Sequence, residues 1–102
     1  NIAQNGSVLL ISGEESLSQI AKRAERLKLK CKNLNAINDH SLESILETIK
    51  KEKPSLAIID SIQVISSSEL SGNVGSISQV RYCTERLMEL AKSNEISIIL
   101  YV

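Results

Sequence analysis

Asp60 closes the apolar run Leu56-Ala57-Ile58-Ile59 and is followed by Ser61. Four consecutive apolar residues indicate a strand buried on both faces. Such a strand would hold the Asp60 carboxylate rigidly at its carboxyl end. A carboxylate fixed there can bind the water shell of a Mg²⁺ ion carried by a nucleotide, with the Ser61 hydroxyl beside it, which is the form of a Walker B strand. The same residue can equally cap the turn that follows. Glu14 and Glu15 come after a second apolar run, Val8-Leu9-Leu10-Ile11, and the turn at Ser12-Gly13. An acid in that place can orient or deprotonate a water attacking a γ-phosphate. Adjacent acids also stabilise an ordinary helix start through its N-terminal dipole.

Other chemistries find less support. Cys31 and Cys83 lie far apart, no C-x-x-C pair occurs, and His40 is the single histidine. Neither a zinc site nor a redox pair follows, and both cysteines read as reduced, partly buried thiols. No G-x-x-x-x-G-K-[S/T] loop occurs, so the backbone amides and lysine that cradle phosphates are missing from the sequence. Twelve basic residues balance twelve acidic ones, which removes a global field towards nucleic acid or an anionic membrane. The basic run Lys22, Arg23, Arg26, Lys28, Lys30 and Lys32 reads as a solvated helix face. No apolar run approaches the ~20 residues of a membrane span and no signal segment is evident, so the cytoplasm is the expected compartment.

The elements that must position these acids follow from periodicity. A strand over 8–11 is succeeded by a helix striped with Leu17, Ile20, Ala21, Ala24 and Leu27, with Ser16 and Gln19 as its capping box. Residues 33–37 form a second strand, ended by Asn38-Asp39. Leu42, Ile45, Leu46 and Ile49 mark a helix capped by Ser41 and stopped at Pro54. After the strand 56–60, residues 66–75 hold four Ser and two Gly and read as a mobile surface loop. Ser76 and Gln79 repeat the capping box, ahead of a helix striped with Ile77, Val80, Thr84, Leu87, Leu90 and Ala91 that reaches about Ser93. Residues 96–102 give a last strand. With 42% apolar residues and only Tyr82 and Tyr101 as aromatics, the core is filled by Ile, Leu, Val and Ala, as is usual for covered parallel sheets.

A 102-residue chain builds one domain. The alternation of strands and helices predicts an α/β, three-layer, mainly parallel four-stranded sheet in the order 2-1-3-4, with helices on both faces and right-handed crossovers. That order sets the ends of the first and third strands side by side, and brings Glu14, Glu15, Asp60 and Ser61 to the rim where ligands of such sheets bind.

Four segments carry a more specific signal: 8–16 (VLLISGEES), 23–27 (RAERL), 59–63 (IDSIQ) and 75–81 (GSISQVR). In this order and spacing they resemble the ATPase domain of the RadA/Sms family, RecA-like ring ATPases of recombinational DNA repair. The resemblance implies a partial RecA-like P-loop NTPase core, with ATP and Mg²⁺ as ligands of the intact protein and none bound to this piece. It implies Glu14 as the water-activating acid, Glu15 as second choice, and Asp60 as the Walker B aspartate. The loop at 66–75 falls where RecA-like proteins place a DNA-contacting loop, so Ser71, Gly72, Asn73, Gly75 and Arg81 become candidates for single-stranded or branched DNA. It implies a phosphate loop and a zinc module upstream of Asn1, and a sensor residue beyond Val102.

The strand bearing the phosphate loop would flank strand 96–102. An open edge there predicts a homo-oligomer, with a second copy adding its own edge strand. Two other readings share the sheet. A phosphoacceptor receiver domain also gathers acids at these rims, but it expects a lysine after the last strand and a fifth strand. A noncatalytic interaction module needs no site at all.

Overall fold

The computed structural model describes residues 7–13, 22 and 33–101. Strand β1 (Ser7–Ser12) lies inside a four-stranded sheet, with β2 (Asn33–Asn38) on one side and β3 (Leu56–Asp60) on the other; β4 (Ser97–Tyr101) pairs with β3. All three pairings are parallel, and the order is β2-β1-β3-β4, as the sequence predicts. Parallel neighbours must be joined by crossovers. Helix α1 (Leu42–Glu52) connects β2 to β3, and helix α2 (Ile77–Asn94) precedes β4.

Side chains alternate across the sheet. Leu9, Ile11, Ala57 and Ile59 face a core that they share with Leu42, Ile45, Leu46 and Ile49 of α1 and Cys83, Leu87 and Leu90 of α2. Both described helices therefore cover one face. Val8, Leu10, Leu56 and Ile58 form a buried cluster on the other face; the helix expected over 16–27 lies outside the described residues, apart from Lys22, which is helical and exposed. Arg23, Arg26, Lys28, Lys30, Lys32 and Cys31 also lie outside them.

The helix ends follow their capping chemistry. The Ser41 Oγ accepts from the Ser44 N–H at 3.4 Å, and Ser76 Oγ accepts from the Gln79 N–H at 3.3 Å. At the far ends, Lys53 and Glu95 adopt the left-handed conformation and donate back to Ile49 and Ala91.

The expected stripe of α2 needs one correction. Ile77 is 80% exposed, and the buried positions are Gln79, Cys83, Leu87 and Leu90. At about 100° per residue, Ile77 lies some 160° around the helix from Gln79. Strand β4 is an edge among the described residues; its Ile98 and Leu100 pack on the core, whereas Ile99 and Tyr101 are exposed. No described helix is long and apolar enough to cross a membrane.

Candidate functional site

The parallel register collects the carboxyl ends of the central strands at one rim. Ser12 stands opposite Asn38 on one side and opposite Asp60 on the other. Asp60 is half-buried, while Ser12 and Ser61 are buried. The Asp60–Ser61 peptide bond is cis. Beyond it a 3₁₀ turn (Ile62–Val64) drives Ile62 and Ile65 into the core, which fixes the course of the chain as it leaves the carboxylate.

Gly13 ties the exit of β1 to this turn. A Cβ at Gly13 would meet Val64 Cγ2 at 2.6 Å, with the Asp39 carbonyl oxygen and His40 Cβ at 3.4 Å. Glycine is required here for the close approach of its neighbours. Glu14 and Glu15 lie outside the described residues; the chain that leads to them is at the rim beside Asp60 as far as Gly13.

Asp39, a second carboxylate at this rim, is occupied structurally. Its Oδ1 accepts from the Ser41 N–H at 3.1 Å and its Oδ2 from the Ser44 hydroxyl, while its own N–H donates to the Ser12 carbonyl at 2.9 Å. These bonds brace the start of α1.

Among the described residues no cluster of three or more His, Cys, Asp or Glu could hold a metal ion. Among the described residues the rim carries the Asp60 carboxylate, flanked by the hydroxyl-bearing residues Ser12 and Ser61, beside the Asp39 carboxylate that braces α1. That set fits a hydrated Mg²⁺ held mainly by nucleotide phosphates and touched by protein through water, and it does not fit a protein-built cage for zinc or calcium.

The segment after the turn is more ordered than a mobile loop. Ser66 forms a parallel bridge with Ser41: its N–H donates to the His40 carbonyl at 3.1 Å and its carbonyl accepts from the Leu42 N–H at 3.0 Å. Ser67 is 3% exposed, and its hydroxyl donates to Glu43 Oε2; the Ser68 N–H donates to Glu43 Oε1 at 3.3 Å. The Ser67 hydrogen bond holds the Glu43 acid below its ordinary value, helped by backbone N–H groups and Arg86 and opposed by partial burial.

Gln79, 1% exposed, does the rest. Its Oε1 accepts from the Ser67 N–H at 3.0 Å, and its Nε2 faces the carbonyls of Leu70 at 2.8 Å, Ser67 at 3.3 Å and Gly72 at 3.4 Å. The capping-box reading of Gln79 is thus half right. Ser76 caps the Gln79 N–H, but the side chain reaches into the preceding loop, while the Ser76 N–H donates to the Asn73 carbonyl instead.

Ser71, Gly72, Asn73 and Gly75 are all exposed at the loop tip, together with Val74. Gly72 and Gly75 have positive φ, at 120° and 85°, a conformation that glycine adopts without strain. Gly75 sits close to the Gln63 carbonyl, so tip and turn are in contact. Arg81 is exposed on α2 and lines a shallow groove of about 450 Å³ with Leu70, Ile77, Ser78, Tyr82 and Glu85. Cys83 lies beneath, wholly buried, with its thiol pushed up to about 11 by burial and further by the charge of Glu43. A thiol so protonated is no nucleophile.

The structure therefore brings Asp60 and Ser61 to one rim; Ser71, Gly72, Asn73 and Gly75 share an exposed loop tip, and Arg81 is exposed on α2 in a groove that Leu70 of the loop also lines. Gly13, Asp39, Glu43 and Gln79 escape the sequence reading as positioning residues.

No family model matches the chain. Curated relatives match it along nearly its whole length. It is 46% identical over 95 residues, 93% of this chain, to "DNA repair protein RadA" of Aquifex aeolicus, covering 21% of that protein. Over 96 residues it is 46% identical to the protein of the same name from Listeria monocytogenes, 94% of this chain and 21% of the relative. The Escherichia coli protein is 39% identical over 99 residues, 97% of this chain and 22% of the relative. The chain spans about a fifth of the length of these relatives.

Proposed function

The chain corresponds to a segment of the DNA repair proteins RadA, and on that premise we propose that it supplies the magnesium-side carboxylate and a DNA-contacting loop of an ATP-driven, RecA-like repair enzyme. The observation that carries this reading is the register of Ser12 with Asp60 at the carboxyl rim of two parallel central strands, closed by the Gly13–Val64 contact. Asp60 would hold the hydrated Mg²⁺ of bound ATP through water, with Ser61 beside it. Glu14, which follows Gly13 directly, would orient the attacking water, with Glu15 as the alternative. ATP, cradled by a phosphate loop outside this sequence, would supply the phosphoryl group; the segment alone is expected to be inactive.

The loop tip would meet DNA with hydroxyl, amide and backbone N–H groups of Ser71, Gly72, Asn73 and Gly75 and the guanidinium of Arg81. Such donors suit the phosphate backbone, and they fix position without reading sequence. The likeness to RadA proteins, and not these donors, makes single-stranded or branched DNA the expected partner. The outer edge of β4, with Ile99 and Tyr101 exposed, supports pairing with a second copy in this isolated piece. Light scattering should show a dimer at high concentration; a monomer throughout would remove that element of the proposal.

The test of the catalytic reading is Asp60→Asn in the full-length protein. Loss of the carboxylate should lower Mg²⁺-dependent ATP hydrolysis by about a hundredfold, the usual effect of deleting one charge-stabilising group. Nucleotide binding measured without Mg²⁺ should change little. Unaltered hydrolysis would leave Asp60 as a turn cap.

A further inference from the structure

We propose that Gln79 is the positioning residue that shapes the DNA-facing loop, a role that rests on the reading of residues 71–75 and Arg81 as the nucleic-acid surface. A glutamine buried to 1% in the stripe of α2 that faces the apolar core is costly unless its amide is satisfied. Gln79 satisfies it entirely from the loop. The oxygen takes the Ser67 N–H, and the nitrogen is shared among the carbonyls of Ser67, Leu70 and Gly72. One side chain thus fixes four backbone groups across the entry, middle and tip of the loop.

Other contacts hold the two ends of the loop: the Ser66–Ser41 bridge and the Glu69 N–H on the Ser67 hydroxyl at 3.0 Å at its entry, and the Ser76 N–H on the Asn73 carbonyl at 3.0 Å at its exit. Of the loop's apolar side chains Leu70 lines the adjoining groove, and Val74 is 58% exposed. Glu43 grips the first turn at Ser67 and Ser68, ahead of the middle and tip. The carbonyls of Leu70 and Gly72 flank Ser71, so the backbone that presents Ser71 and Gly72 takes its direction from the Gln79 amide. A loop that samples its binding shape only a tenth of the time binds about tenfold more weakly, with every contact residue intact.

The full-length protein carrying Gln79→Met keeps the length and burial of the side chain and removes its hydrogen bonds. Three measurements are compared with the unaltered protein: amide exchange over residues 67–72, affinity for a fluorescent oligothymidine strand, and ATP hydrolysis without DNA. Faster exchange, about tenfold weaker strand binding and DNA-free hydrolysis within about twofold are expected. Faster exchange with full affinity would overturn the proposal, and so would unchanged exchange. An equal fall in DNA-free hydrolysis would also overturn it, as general damage.

If Gln79→Met does not fold, Gln79→Glu serves. It keeps an acceptor for the Ser67 N–H and sets a carboxylate against three carbonyls, which raises the acid until protonation restores a donor. Strand affinity relative to the unaltered protein should then recover between about pH 8 and pH 5.5; a constant deficit, or none, overturns the assignment. The double variant Asn73→Ala, Arg81→Ala separates the two levels. Full strand affinity in that protein removes the loop as the DNA surface, whatever Gln79 does.

Discussion

The rim at Asp60 and the loop that begins at Ser66 are consecutive in the chain, yet they are held by opposite means. The rim rests on apolar packing and the backbone ladder: Ile11 and Ile59 are fully buried, Ile62 and Ile65 nearly so, and Gly13 lets the Val64 side chain close the gap. The loop is anchored at its ends by backbone bonds of Ser66 and Asn73, and between them by two polar side chains from two helices, Glu43 and Gln79. Packing responds to volume, and it is insensitive to which particular apolar atoms fill the space. Hydrogen bonds respond to single atoms and protons, with little change of volume. The rim should therefore break when an atom is added, and the loop when an atom's chemistry is changed.

The largest expected effect is at the rim. Gly13→Ala places a carbon 2.6 Å from Val64 Cγ2, and valine, branched at Cβ, has few rotamers in which to retreat. Overpacking of this kind costs about 1–3 kcal/mol, and it should appear as a lower urea midpoint with an unchanged slope. Adding Val64→Ala removes the clashing methyl and should return most of the loss, a coupling expected of residues in direct contact. A Gly13→Ala protein as stable as the parent would mean that the exit of β1 is not fixed by this contact. The Gln79 variants come next in size, and they should loosen the loop while sparing the sheet.

The same contrast decides what was legible beforehand. Val8–Ile11 and Leu56–Ile59 announce buried strands because every position is apolar, and their order follows from crossover geometry. Ser41 and Ser76 announce helix starts because capping is local, three residues in reach. Asp60 could be placed at the rim for these reasons alone. The loop was illegible because its partners are remote: Gln79 bonds Ser67 across 12 residues and Glu43 bonds Ser67 across 24. Its Ser and Gly content suggests mobility, and nothing local reveals that its amides and carbonyls have partners. Ile77 is illegible for the same reason. Apolar residues are assigned to the core by default, and the core position is taken by a glutamine whose amide the loop satisfies. In the sequence Gly13 reads as a turn residue, because the need for space beside Val64 exists only once β1 and the 3₁₀ turn are adjacent.

The smallest effect is the most local, and it concerns a proton. The Glu43 acid is held below its ordinary value of 4.5, chiefly by the Ser67 hydroxyl. A group depressed on folding contributes its stabilisation above the unfolded value and loses it as pH falls through the folded one. Acidification should therefore leave the Ser67 and Ser68 contacts intact down to about pH 4.5 and release them below it. Protonation replaces a charge-assisted bond, among the stronger kinds, with a neutral one. In nuclear magnetic resonance spectra the Ser67 and Ser68 amides should move in this window, while those of Ile11 and Ile59 stay in place. Glu43→Gln, neutral at every pH, should abolish the movement. Simultaneous movement of loop and strand signals would show that the first turn of the loop has no separate grip. The two regions would then behave as one unit, against the division drawn between packing and polar clamping.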